Sequence, residues 1–599
     1  MSVQASRSTA GAVRSSPSSS AALLPLLAIL AVACGIPFVS NDYWVLIATR
    51  AAVYWVLVSG LTLVVGYAGQ LAIGYVALLT LGAYVTSVLA AGNVLPPLPP
   101  FLALAVAGVV GSVAGVVVGL PALRLRTFYF AMTTLGFATI VTQVALAWQS
   151  VTGGGIGLTG PELAAPFNST SGLFYLCLAF AAVSTWLASN LAHSRYGRAL
   201  IAIRDADVAA EAVGISKPAL LAKIFIFSGA LAAIAGGLFA TLQTYITPDA
   251  FTFDLSLLFF ISILIGGRGS ILGPLIGTII LTLLPEIAAP LAAWSTFLYA
   301  ALLLLVVLLV PGGIAALLDF KSRAPIESNR AIVPDTTRVN RFKSKARNGE
   351  TLALRDIVLT FGAVRAIDGA GIDVGPGQIH GLIGPNGSGK TTMLNVISGY
   401  YPPSAGTLRL GGKPLERGQP VTRAMHGIAR TFQTPRIVGE ATVIDNVMIG
   451  GDANGRAGFL TTLLSLPRSH SDEALIRSTA MDALHVIGLE ALANVRADRL
   501  QHSELRFIEI ARALMLEPAF LLLDEPAAGL SAQEIERLGQ LIRAIARSGT
   551  GVLLVEHHAD LIFDICQQVT VLNLGRVLAR GTPAEIRVNK EVVSAYLGG

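Results

Sequence analysis

An apolar, strand-like run from Ile379 to Ile383 ends in Gly384-Pro385-Asn386-Gly387-Ser388-Gly389-Lys390-Thr391, and a helical pattern opens at Thr392. Glycines at this spacing let successive backbone N–H groups turn toward the oxygens of a phosphate chain. The Lys390 ammonium then reaches the terminal phosphates, and the Thr391 hydroxyl is offered to Mg2+. A glycine-rich turn with a chance lysine would lack the strand before and the helix after, so the segment reads as a P-loop. Further along, the apolar run Phe520 to Leu523 delivers two carboxylates, Asp524 and Glu525, to the end of a second strand. Asp524 is suited to hold the metal through water, and Glu525 to polarise the water that attacks the γ-phosphate. Alone such a pair is a solvated turn; behind a P-loop it is the hydrolytic edge of an ATPase.

Those groups need a soluble body to hold them. From Gly349 to Gly599 short β-type runs alternate with helical ones, as expected of an α/β domain of mixed sheet and helices. The remainder is of another kind. Over 599 residues, 53% are hydrophobic and 13% charged, and mean hydropathy is +0.68, more than a soluble chain needs to fill its core. Apolar segments recur at 21–39, 44–66, 71–91, 101–120, 127–148, 173–192, 224–245, 254–267, 271–289 and 295–311. At about 20 residues per span this predicts a polytopic α-helical membrane domain of some 8–10 segments, with 254–267 short enough to be a re-entrant half-helix instead.

Ten crossings with both ends inside place Arg124, Arg126, the run Arg195 to Lys223, Arg268 and Lys321 on the cytoplasmic side, where basic residues belong. Arg50, early in the second span, is the misfit and must snorkel or pair. Residues 1–20 are Ser-rich with Arg7 and Arg14 and read as a disordered cytoplasmic tail; a cleaved signal is the competing reading. The permease-like part then covers 21–318, a basic linker suited to anionic membrane lipid covers 319–348, and the ATPase covers 349–599. The net charge of +6 is spread over loops and linker, so no nucleic-acid partner is expected. Cys34, Cys177 and Cys566 lie too far apart for a disulfide framework or a zinc site.

With these motifs in register, 349–599 resembles the ATP-binding-cassette family, which implies ATP and Mg2+ as cofactors. The resemblance gives Phe361 the place of the aromatic that stacks on adenine, a strand aromatic in a core being the alternative. It gives Gln433, in Arg430-Thr431-Phe432-Gln433, contact with the metal and the attacking water, and His557, in Val555-Glu556-His557, contact with the γ-phosphate. One segment departs from the pattern. The family's Ser-Gly-Gly-Gln type signature, which clamps the γ-phosphate held by the opposite cassette, reads here Gln501-His502-Ser503-Glu504. The longer Gln501, the Ser503 and the acidic Glu504 are expected to weaken that clamp. A heterodimeric motor with one strong site, built on Lys390, Asp524 and Glu525, follows; two working sites is the alternative.

The run Gly197 to Gly214 has helical patterning and suits a coupling helix against the cassette, with Arg204, Asp205, Asp207 and Glu211 pairing motor charges. Together with Gly66-Tyr67-Ala68-Gly69, Leu123 to Arg126, Thr133 to Phe137, Thr152 to Gly157 and Gly266 to Ser270, it is similar to the permease of the branched-chain amino acid importer family. Arg430 to Arg436 and Glu525 to Gly529 resemble that family's first ATPase component. The resemblance implies a fused permease and ATPase subunit importing Leu, Ile or Val. It would sit multi-pass in a bacterial plasma (inner) membrane with its cassette in the cytoplasm. A second permease subunit, a second ATPase subunit and a periplasmic substrate-binding protein would be its partners. Importers of urea or short amides resemble the permease motifs equally well. An exporter would need long helices reaching into the cytoplasm, and a soluble remodelling ATPase is excluded by the hydrophobic half.

Overall fold

The computed structural model describes residues 19–125, 127–287, isolated positions between 294 and 314, 334–342, 344, 350–415 and 418–597. The tail expected over 1–20, apart from Ser19 and Ser20, which begin a helix, and most of the linker over 319–348 lie outside these residues, as does the tenth expected span, 295–311, apart from isolated positions.

The apolar half is helical: α1 (Ser19–Val39), α2 (Asp42–Thr62), α3 (Val76–Ala91), α4 (Pro100–Gly119), α5 (Thr127–Ala147), α6 (Thr170–Ala192), α7 (Arg195–Ala212), α8 (Lys217–Leu242), α9 (Phe253–Gly266) and α10 (Leu272–Ile287). Among the described residues six helices are long and apolar enough to cross a membrane: Asp42–Tyr67, Pro100–Leu123, Phe128–Ala147, Thr170–Ala192, Lys217–Leu242 and Pro248–Gly266. Ala28–Val39, Val76–Ala91 and Leu272–Ile287 are apolar but shorter. Segment 254–267, expected either as a short span or as a re-entrant half-helix, forms α9, a helix of 14 residues preceded by a 3-10 turn at Pro248–Ala250.

Two features show how sequence sets this packing. Helices α4 and α8 cross with backbones touching, because Gly111 and Gly229 face one another. A Cβ on Gly229 would lie 2.3 Å from the Gly111 carbonyl oxygen, so only small residues allow the approach. Arg50, the charge without a place in the sequence pattern, finds one in α10: its Nη1 lies 3.2 Å from Glu286 Oε1, and the Tyr43 hydroxyl donates to the same carboxylate. A membrane-embedded cation is thus paired rather than bare.

The cassette is built on a six-stranded sheet in the order β10-β9-β3-β8-β7-β6, from β3 (Ile379–Ile383), β6 (Ile428–Arg430), β7 (Phe520–Asp524), β8 (Gly551–Val555), β9 (Gln568–Asn573) and β10 (Arg576–Gly581). All neighbours are parallel except β9 and β10. Four of the parallel strands, β3, β6, β7 and β8, are buried along their whole length, and β7 and β8 accordingly read as apolar runs, Phe520 to Leu523 and Gly551 to Val555. A second, antiparallel sheet runs β2-β1-β4-β5, from β1 (Leu352–Phe361), β2 (Val364–Val374), β4 (Ala405–Leu410) and β5 (Lys413–Pro414). Part of the expected linker belongs to this body. Residues Thr336–Arg341 form a 3-10 turn with Val339 and Phe342 buried, and Arg338 and Arg341 pair with Asp482 of the cassette.

Candidate ATP site and its link to the permease

The P-loop leaves the carboxyl end of β3 and runs into α11 (Lys390–Ile397). Gly384 has φ +154, and a Cβ there would sit 2.1 Å from the Leu572 carbonyl oxygen, so no other residue fits the turn. Lys390 is buried and its Nζ donates to the carbonyl oxygens of Gly384 (2.8 Å) and Pro385 (3.0 Å). Burial lowers its ammonium below the usual value while Glu525 and Asp524 pull it back up.

Parallel pairing sets β8 beside β7 with Val555 opposite Asp524, so the loops after both strands meet. Glu525, at φ +49, is the focus. Gln433 Nε2 donates to its Oε2 at 2.7 Å, and His557 Nε2 lies 3.0 Å from its Oε1. Three residues distant in sequence and singled out by type are therefore brought to one carboxylate. Two further groups fix its surroundings. Arg506 donates to the Glu525 carbonyl at 2.9 Å, and Glu509 accepts the N–H groups of Phe432 (3.2 Å) and Arg436 (2.8 Å), holding the Gln433 segment in place. Burial raises the Glu509 carboxyl despite Arg512 at 3.0 Å.

Asp524 is 2% exposed, and burial raises its carboxyl while Arg430, bonded to Oδ2 at 3.1 Å, opposes that. Its Oδ1 is buried without a hydrogen-bond partner, and so is the Ser388 hydroxyl. Two orphaned oxygens beside a P-loop fit a hard, oxygen-seeking cation such as Mg2+. Phe361 ends β1 exposed, with only an edge-on contact to Tyr401 at 5.1 Å, so the alternative of a core aromatic does not hold. Pro385, Asn386, Gly387, Gly389, Thr391 and Thr392 complete the loop and first turn.

The expectation for the signature segment needs correction. Gln501 is the N-cap of α13, counting the helix Pro467–Ile487 as α12 and His502–Leu514 as α13. Glu504 folds back to accept the Gln501 N–H at 2.9 Å, closing a capping box, and is 3% exposed. Its carboxylate is taken up inside the cap rather than standing on the surface. Ser503 bonds Glu534. Of the altered residues, Gln501 is the one left exposed.

Helix α7 lies on the cassette, but not through the set of charges expected. Arg204 does pair the motor, with Glu440 at 3.0 Å, and also bonds the Gly66 carbonyl at 2.8 Å. Asp205 binds its neighbour Arg204 and Asp207 faces Lys217, both inside the permease, and among the described residues Glu211 makes no ion pair with the cassette. The principal contacts come from two arginines at the start of α7. Arg195 donates to the carbonyls of Asp452 (3.0 Å) and Ala457, while Arg198 bonds Asp452 at 2.8 Å and Glu473. Burial pushes the Asp452 carboxyl up to about 7 in spite of Arg198. Burial alone would lower Arg198, but Asp452 and Glu473 raise it. Both arginines stand in the basic run noted in the sequence; nothing there distinguished them from topology signals.

A nucleotide-binding α/β body docked on an apolar helical domain, chiefly through α7 with Asn190 of α6 also bonding the Leu463 carbonyl, is, in class, an ATP-binding-cassette transporter. Family models agree along the chain: "branched-chain amino acid transport system / permease component" over residues 43–310, "ABC transporter" over 367–528, and "branched-chain amino acid ATP-binding cassette transporter" over 576–599. The high-affinity branched-chain amino acid transport ATP-binding protein LivG of Escherichia coli K12 is 39% identical over 252 residues, 41% of this chain and 97% of the relative. Its counterpart BraF of Pseudomonas aeruginosa is 36% identical over 249 residues, 41% of this chain and 97% of the relative. A solved nucleotide-free ATP-binding cassette of an ABC transporter is 30% identical, covering 42% of this chain and all of that one, with TM-score 0.38. The chain belongs to the branched-chain amino acid ABC transporter family, with permease and ATPase parts in a single polypeptide.

Proposed function

We propose that this chain is the fused permease and ATPase subunit of an importer for leucine, isoleucine and valine in a bacterial inner membrane. It would work with a second permease, a second ATPase and a periplasmic binding protein. The observation that supports the ATPase reading best is the convergence of Gln433 and His557 on Glu525 beside Lys390. In this reading Phe361 stacks on adenine, the P-loop amides and Lys390 hold the phosphates, and Glu525 orients the attacking water and takes its proton. His557 and Gln433 position Glu525 and sense the γ-phosphate. Mg2+, held by Thr391, Asp524 and Gln433, would supply charge neutralisation at the phosphates. Gln501 at the N-terminus of α13 would face the partner cassette's nucleotide, so the partner's site is the weaker one.

The test is uptake of labelled leucine, and separately of urea and a short amide, into proteoliposomes carrying the assembled complex. Leucine accumulation against its gradient that vanishes with Glu525→Gln supports the reading. Accumulation of urea or amide alone overturns the cargo, and efflux overturns the direction. Equal loss of ATPase on removing either cassette's catalytic glutamate overturns the asymmetry.

A further inference from the structure

Arg430 ends β6 with its side chain 3% exposed. Its terminal nitrogens serve different partners. Nη2 donates to Asp524 Oδ2 at 3.1 Å, whereas Nη1 donates to Asn395 Oδ1 at 2.6 Å and Ser398 Oγ at 2.9 Å. The guanidinium rests against two rings, 5.2 Å from the centroid of Phe432 and 5.8 Å from that of Tyr400. Tyr400 then leaves the cassette: its hydroxyl donates to the Val208 carbonyl of α7 at 2.6 Å. Val208 lies just past Ala206, where α7 is kinked with φ −148 and ψ 56.

A carboxylate bound through one oxygen by a fixed guanidinium has its plane and its other oxygen fixed as well. Here the other oxygen is the buried, unpartnered Asp524 Oδ1. Lysine could not take over these tasks, because a point charge cannot serve Asp524 and Asn395 at once while lying flat against two rings. Any loss of negative charge at Asp524 loosens its hold on the guanidinium, and one of the rings that guanidinium rests against is hydrogen-bonded to the permease. Gln433 reaches Glu525 instead, so this route is a separate one.

We propose that Arg430 is a positioning residue with two tasks: it orients Asp524 so that Oδ1 is the acceptor for the metal, and through Tyr400 it links that carboxylate to the Val208 carbonyl of α7. The proposal rests on the ATP-site reading above. Arg430→Lys and Tyr400→Phe are introduced into the full chain, purified with its partner subunits. Binding of a fluorescent ATP analogue is measured in EDTA and across a MgCl2 titration, and leucine transported per ATP hydrolysed is measured in proteoliposomes.

For Arg430→Lys, binding in EDTA should stay within about twofold of wild type, while the Mg2+ giving half-maximal tightening rises at least about fivefold. For Tyr400→Phe, Mg2+ dependence and ATPase should be unchanged while transport per ATP falls about threefold or more. Equal losses with and without Mg2+ for Arg430→Lys would mean it only holds the fold, and an unaltered Mg2+ dependence would mean it does not orient Asp524; either overturns the first task. Unchanged transport per ATP in Tyr400→Phe overturns the second. Tyr400→Phe leaves the buried pair intact and carries the test if Arg430→Lys fails to assemble. Failure of the ATP-site reading itself would show differently, as undiminished nucleotide binding in Lys390→Ala.

Discussion

Arg198→Met removes the guanidinium that two cassette carboxylates share. Arg198 is 11% exposed, Asp452 3% and Glu473 31%, as side chains. Breaking a buried pair by deleting one partner costs about 3–5 kcal/mol, because the other charge is left uncompensated. Glu473 can turn toward solvent, so the lower figure applies, and about 3 kcal/mol is roughly a 150-fold change in the docked population. The pH dependence has a definite sign. Burial already lifts Asp452 to about 7, above the ordinary carboxylate range. A raised carboxyl favours the docked state at low pH and penalises it as pH rises through that value. Without Arg198 the value rises further, and Arg195, which bonds the Asp452 carbonyl, is the cation left beside it among the described residues.

The assay is leucine transported per ATP hydrolysed in proteoliposomes, with the cassette-side pH stepped from about 6 to about 8.5, a window that brackets the Asp452 value. Coupling in Arg198→Met should be mildly reduced at the acid end and largely lost at the alkaline end. Adding Asp452→Asn should recover most of it, since the orphaned charge is gone. An equal loss at every pH, with no recovery in the double variant, would show that Arg198 acts through packing, and the electrostatic reasoning would be wrong.

Glu525→Gln should leave ATP affinity intact and lower hydrolysis by about 10²–10⁴, the range for losing a general base, measured by phosphate release and by nucleotide binding on one preparation. Glu504→Gln should change ATPase by less than about twofold, because glutamine can close the same capping box and the carboxylate is buried in it; a larger gain would return Glu504 to the partner's site. Arg50→Met should destabilise the detergent-purified complex by under about 3 kcal/mol given the partial exposure of the pair, read as a lowered thermal midpoint. Arg50→Met combined with Glu286→Gln should cost less than Arg50→Met alone, and a strictly additive pair would deny the coupling.

The cassette was legible because its chemistry is written in contiguous motifs, each flanked by the element that positions it. Gly384 to Thr391 and Asp524-Glu525 needed no tertiary knowledge beyond a strand before each. Glu504 shows the limit. Its type suggested a repulsive charge, whereas its position three residues after an N-cap decides where the side chain goes, and that Ser/Thr-x-x-Glu logic works with Gln501 at the cap as well. Arg50 was recognised as a misfit, but Glu286 could not be named as its partner, because the contact spans 236 positions and nothing local encodes it. The apolar runs at 71–91 and 271–289 form α3 and α10, helices of 16 residues each, a few residues short of the roughly 20 of a perpendicular crossing.

The coupling helix fails sequence reading for a more instructive reason. Periodicity finds an amphipathic helix in 197–214 but weighs its charges equally, and the acidic residues in its second half looked as useful as the basic ones. The structure anchors α7 at two separate places. Before the kink at Ala206, Arg195 and Arg198 hold the 452–473 region; after it, Val208 accepts from Tyr400, beside the end of α11. A stiff rod fixed at one point follows its anchor, whereas a rod fixed at two points on either side of a kink must bend when those points move relative to one another. Arg204, next to the kink, bonds both Glu440 of the cassette and the Gly66 carbonyl at the π-helical end of α2. Bending at Ala206 is therefore tied to the end of a buried permease helix, and coupling depends on where the anchors fall relative to the kink more than on how many charges the helix carries.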